Sequence, residues 1–474
     1  MAKGVDCSGF GVWAESVPAG TPFLISPRFE YDLALNEFFR SPGMLGAAWN
    51  TQAGYARDLA AFLTFLWKSR QRRSWRDVVE ADHLAYDYWR RRDPAGPMID
   101  DSTWDREVAA QNRFFKWQVS AQELHVNPIP QRECRVPPAT SGHRGYKGQS
   151  SGQTPATYSH GRGRDKVEWL PQKSYRIWRD VGMRGYTAEG IPDPRFRGRW
   201  AARNATFCDL AVRTGMRLSE QSALTVFDLP LDHGQGGYQR FWLPTKVAKG
   251  MSARWVYVPA SVRADLRAYV EIDRAEVVED ARVAGRYHRV RRPMVVEDPD
   301  RPTIRQGCRK VRVEQLDPAQ RRDLLIDGPE GLEPAAFWLS EFGTPIAVST
   351  WKSLFGEANS RCEVKGVRLR AHAHMLRHTF AVITLEQLQR GHISALQEMT
   401  PQQRTHYVRI FGDPLDWVRR RLGHSSVVTT QIYLHALEEL EMETRMALVP
   451  EGWDDPRSTP TDGFPDDVTP PVVS

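Results

Sequence analysis

From Tyr31 onward the apolar positions of the chain recur at helical spacing. Tyr55, Leu59, Phe62, Leu63 and Leu66 fall on one face of a helix that Asn50 or Thr51 would cap. A second start at Asp82 leads into Leu84, Tyr86 and Trp89. A third, after Ser102, places Trp104, Val108 and Phe115 on one side, with Arg106, Arg113 and Lys116 elsewhere. This spacing predicts a small all-helical bundle ending near Pro130. The pattern then breaks: residues 133–166 carry Pro137, Pro138, Gly142, Gly145, Gly148, Ser150, Ser151 and Gly152, interleaved with Arg144, Lys147, Arg162 and Arg164. That composition predicts a flexible basic linker.

Periodicity resumes at Val167. A helix over 197–212 ends near Gly215. Two β-prone runs, 238–244 and 253–258, flank Lys246-Val247-Ala248-Lys249-Gly250 as a hairpin would, and a helix follows over 261–283. Residues 284–333 are dense in Arg and Asp without a clear period and read as an insertion with some strand at 310–313. Helices return at 350–359 and continue with interruptions to about Leu448. The expected fold class is therefore mainly α with a small antiparallel sheet (α+β), in two domains. The expected boundaries are a flexible arm at 1–25, a helical domain at 26–132, the linker at 133–166, a larger domain at 167–449 and a disordered acidic tail at 450–474.

Bulk composition narrows the setting only slightly. The 474 residues carry a formal charge of +7, which suits a polyanionic partner. Five scattered cysteines with no C-x-x-C pair suggest neither a disulfide framework nor a zinc knuckle, and fit a reducing compartment. No apolar run is long enough for a bilayer, and a cytoplasmic protein is expected.

The chemistry concentrates in six side chains. Arg217 follows Gly215 in Thr214-Gly215-Met216-Arg217-Leu218-Ser219-Glu220, and Glu220 is placed to pair with it. His374 and Arg377 share a helix face, while His378 is expected to point elsewhere as a structural histidine. Gly423 reads as a helix C-cap, which leaves His424 in a tight turn before a helix carrying Tyr433. Lys249 lies in the hairpin turn, with Lys246 as its rival. A phosphodiester yields when its non-bridging oxygens are neutralised, a nucleophile is supplied and the leaving oxygen is protonated. Arg217 and Arg377 suit the first task, His424 the support of phosphate or tyrosine, Tyr433 the attack and the lysine the protonation.

Taken in this order, the residues resemble those of the tyrosine recombinase (phage integrase) family. The 214–220 segment resembles its first arginine box, Lys249-Gly250 with Arg254 and Pro259 its lysine hairpin, 374–378 its H-x-x-R-H box, and Leu422-Gly423-His424 with Tyr433 its closing box. The helical N-terminal domain, with Phe114-Phe115-Lys116-Trp117 ahead of Asn127-Pro128, is similar to the family's core-binding domain. The resemblance favours Lys249 over Lys246, although Ser252 stands where the family often has a second basic residue. It implies a C-shaped clamp around double-stranded DNA and cleavage through a 3′-phosphotyrosine without metal or high-energy cofactor. It also implies a homotetramer on synapsed sites and possible accessory recombination proteins, in an integrase or transposition protein of a mobile element. A type IB topoisomerase and a catalytically silent DNA-binding relative are the alternatives of similar make-up.

Overall fold

The computed structural model describes residues 17–134, 152–159, 167–231, 237–290, 293–397, 413–426 and 429–437. The chain divides into two compact units, 1–164 and 165–474. Among the described residues no helix is long and apolar enough to cross a membrane.

In the first unit, helices Leu33–Arg40, Trp49–Ser69, Glu80–Arg91 and Asp101–Ser120 enclose one aromatic core. Phe38, Phe39, Phe62, Tyr86, Trp104, Phe114 and Phe115 are almost wholly buried there, each contributing about 1.5–3 kcal/mol by burial. Helix starts follow local chemistry. Asp32 and Asp100 accept backbone N–H groups of the first turns of their helices. The long helix begins at Trp49 with Ala48 at its cap, so neither Asn50 nor Thr51 caps it.

Part of the expected linker is structured. Strand β1 (Gln131–Cys134) pairs antiparallel with β2 (Gly152–Pro155). Beyond β2, Trp104 donates its indole N–H to the Thr157 carbonyl at 2.8 Å, and His83 Nε2 lies 2.8 Å from Thr157 Oγ1. Buried indole and imidazole groups need polar partners, and the returning segment supplies them. The expected arm is likewise anchored at its end: Asn36 Oδ1 accepts the Leu24 N–H at 2.7 Å, and Leu24 packs on the core. Residues 1–16 and the expected acidic tail at 450–474 lie outside the described residues.

The second unit is also largely helical. Helices Ala201–Thr214, Val348–Val364 and Ala373–Gln397 surround a core that includes Trp178, Phe207, Trp338 and Trp351. The hairpin pairs β3 (Tyr238–Leu243) with β4 (Arg254–Pro259). The helix expected over 261–283 spans Ala260–Val283 and contains a π-helical stretch at Tyr269–Arg274.

The insertion has its own order, which the sequence pattern does not reveal. Strands β5 (Met294–Val296), β8 (Leu324–Gly328) and β9 (Gly331–Pro334) form one sheet, with β5–β8 parallel. Strands β6 (Thr303–Gln306) and β7 (Arg309–Arg312) form a separate ribbon. Val296, Ile304, Val313, Leu316, Leu324 and Ile326 make its core. The fold class is therefore mainly α with small sheets, one of which includes a parallel pair.

Candidate active site

Two glycines set the backbone of the site. Gly215 ends helix Ala201–Thr214 at φ 65°, and a Cβ there would lie 2.3 Å from the Phe380 ring. Gly423 ends helix Pro414–Leu422 at φ 66°, and a Cβ would lie 2.8 Å from Ser252 Oγ. Both positions demand a left-handed turn and a close neighbour, so only glycine fits. The first turn presents Arg217; the second seats His424 beside the β3–β4 hairpin.

Arg377 joins these two turns. It is almost wholly buried, and its Nη1 and Nη2 donate to the carbonyls of Gly215 and Leu422. Both acceptors are helix-end carbonyls, which lack intrahelical donors and sit at the negative end of the dipole. Among the described residues no carboxylate pairs with this guanidinium. Burial and the charges of Arg217 and Arg254 push its pKa down to about 9. The site thus holds a desolvated cation in need of an anion.

Glu220 organises the neighbouring charges. It is fully buried; Arg217 Nη1 donates to its Oε1 at 2.8 Å, Arg254 Nη2 to its Oε2 at 2.6 Å, and the Arg217 backbone N–H to its Oε2 at 2.9 Å. Burial alone would favour the neutral acid, but Arg254, the Arg217 amide and the Arg217 charge win and hold the carboxyl at about 2. The Lys249 backbone N–H also donates to Glu220 Oε1, at 3.3 Å. This bond ties the hairpin turn to the arginine pair.

Tyr433, on the helix over 429–437, is buried to 1% exposure. Its hydroxyl lies 2.9 Å from His378 Nδ1. Burial pushes the phenol up to about 12, against the pull of the Arg377 and Arg217 charges. His378 is pushed down to about 4 by burial and by the surrounding histidines and Arg377. The phenol therefore keeps its proton at neutral pH, and a neutral imidazole stands beside it.

His424 stacks on the Tyr433 ring, 6.4 Å between centroids, while its Nδ1 lies 3.0 Å from Thr430 Oγ1. Burial and the three nearby guanidinium groups lower it to about 4 as well. His374 packs edge-on against His378 at 4.3 Å. Its pKa is lowered by desolvation and by the charges of Arg377, His372, Arg217 and Lys249.

The sequence-predicted residues Arg217, Lys249, His374, Arg377, His424 and Tyr433 are thus gathered in one site. Lys249 is exposed and reaches the set through its amide and its charge. Lys246 is also exposed, and no interaction among the described residues ties it to these groups. Two members were not assigned from sequence. His378 touches the tyrosine hydroxyl instead of pointing away, because the Tyr433 helix covers the side of Ala373–Gln397 adjacent to Arg377. Arg254 is the stronger partner of Glu220; its basic charge on a buried β4 position was the available signal.

No family model matches this chain, and no curated protein matches it. Solved structures similar to it include XerH site-specific recombinase bound to palindromic difH substrate, with 15% identity over 85% of this chain and 81% of that one, TM-score 0.47. Another is the Tn1549 transposon integrase in complex with transposon right end DNA, with 13% identity over 87% and 98%, TM-score 0.46. A third is a lambda integrase dimer bound to a core site, with 11% identity over 84% and 91%, TM-score 0.42.

Proposed function

We propose that the protein is a site-specific DNA recombinase of the tyrosine type, which cuts and rejoins strands through a 3′-phosphotyrosine. The observation that carries this reading is the gathering of Arg217, Arg254, Arg377 and Lys249 around one buried phenol, with Glu220 as the carboxylate bonded among them. Such an excess of positive charge suits a phosphodiester, and the planar guanidinium forks match its non-bridging oxygens.

In this mechanism the Tyr433 oxygen attacks phosphorus and its proton passes to His378 Nδ1. Arg217, Arg377 and His424 hold the non-bridging oxygens as negative charge builds on them. The bond from phosphorus to the 5′ oxygen breaks, and that oxygen takes a proton from Lys249 Nζ. The products are a 3′-phosphotyrosine and a free 5′ hydroxyl. A 5′ hydroxyl from a partner strand reverses the same steps, so the phosphoester bond energy is kept. Positive charge on the guanidinium groups supplies what a bound metal would otherwise provide.

The helical unit at 26–132 and the catalytic unit at 167–449 are each proposed to bind duplex DNA. A homotetramer would bring four copies to two synapsed sites, with accessory proteins in the nucleoid as possible partners. A nicked suicide duplex bearing the site tests the reading: the protein should become covalently attached to the 3′ end, and a chain that never attaches contradicts it.

A further inference from the structure

The β6–β7 ribbon is built from an unusual set of residues. Between Arg301 and Arg312 stand Arg301, Arg305, Arg309, Lys310 and Arg312, with no Asp or Glu among them. All five are exposed, and among the described residues no carboxylate forms an ion pair with any of them. The register places Arg305 directly opposite Lys310 and Thr303 opposite Arg312, all on one face. Like charges directly opposed on a strand pair are unfavourable.

The ribbon is nonetheless firmly held. On its other face Ile304, 2% exposed, is paired with Val311, and Val313 and Leu316 continue into the same apolar cluster. Gly307, at φ 59°, begins the two-residue turn that joins the strands. A two-stranded ribbon seated on an apolar cluster therefore carries opposed cations that form no ion pair among the described residues.

We propose that the outward face of this ribbon, Arg305, Lys310 and Arg312, is a second DNA-contact surface that binds backbone phosphates of a duplex outside the catalytic pocket. The inference shares with the recombinase reading only its polyanion, double-stranded DNA. Phosphates at the ribbon would relieve the Arg305–Lys310 repulsion and release counterions.

The test uses the full chain and a labelled random-sequence duplex, titrated by anisotropy across a salt series. R305A/K310A/R312A should lower affinity at least tenfold at low salt and make the log–log salt slope shallower by about 2–3. Its melting temperature should equal or exceed wild type, because the three side chains are exposed and the Arg305–Lys310 repulsion is removed. R195A/R197A/K352A removes equal charge from exposed positions elsewhere in the same unit. Unchanged affinity and slope in the ribbon variant, or equal losses in both variants, would overturn the inference and leave the recombinase reading standing. A wild-type chain that binds no duplex would overturn both this inference and the recombinase reading.

Discussion

The Tyr433 hydroxyl lies 2.9 Å from His378 Nδ1, whereas His424 stacks on the same ring and keeps its own Nδ1 on Thr430. The phenol is thus hydrogen-bonded by the histidine next to Arg377. With the phenol pushed up to about 12 and His378 down to about 4, the pair stands as a protonated nucleophile beside a neutral acceptor.

In the proposed mechanism, that pairing makes His378 the group that would receive the tyrosine proton. His378→Ala should slow covalent attachment by about 100-fold or more, the usual worth of a positioned general base, with DNA affinity unchanged. His378→Asn, which can offer an oxygen at a similar place, should recover part of the rate. Quenched-flow trapping on a suicide duplex reads both. Wild-type rates in His378→Ala would remove this residue from the chemistry.

Arg377 should cost the resting fold more than it returns. Its guanidinium is buried, bonded to two carbonyls, and held down to about 9 by desolvation and neighbouring cations. Arg377→Gln keeps a donor while removing the charge, so its melting temperature should equal or exceed wild type. Cleavage should fall by about 100- to 1,000-fold. A steep drop in melting temperature would show that the cation is a net stabiliser.

Glu220 should behave in the opposite way. It is fully buried between Arg217 and Arg254, so Glu220→Gln leaves two cations short of their counter-charge. Breaking a buried pair typically costs about 3–5 kcal/mol, which urea unfolding would detect. A loss of activity without loss of stability would show that the carboxylate only aims Arg217.

Acid should weaken the fold through the two half-buried histidines. His378 and His424 are both lowered from 6.5 to about 4 by burial and nearby cations. Between those values the unfolded chain binds protons that the folded chain refuses, so stability is present above pH 6.5 and falls towards pH 4. Solvent screening limits the effect to about 1 kcal/mol per ring. Denaturant midpoints at pH 7 and pH 5 measure it, and the double variant H378N/H424N should flatten the dependence.

Much of this site was legible in the sequence because its signals are local. Gly215 and Gly423 mark helix ends, the His374–Arg377 spacing marks one helix face, and the hairpin runs bracket Lys249. What escaped was non-local. Arg254 meets Glu220 across 34 residues, and His378 meets Tyr433 across 55, so neither pairing follows from spacing along one helix. The same holds for β1–β2, whose strands flank a Gly- and Ser-rich stretch, and for the parallel β5–β8 pair. Strands of three to five residues are too short to show a period of two.

The claim that Tyr433 becomes covalently bound to DNA is tested most directly by mapping the adduct. Wild type and Tyr433→Phe would be incubated with a suicide duplex recovered by covalent capture from a randomised library, denatured, digested and sequenced by mass spectrometry. The expected result is a nucleotide-bearing peptide in wild type, modified at Tyr433, and no adduct in Tyr433→Phe despite equal DNA binding. An adduct that persists in Tyr433→Phe, or maps to another residue, would contradict the account.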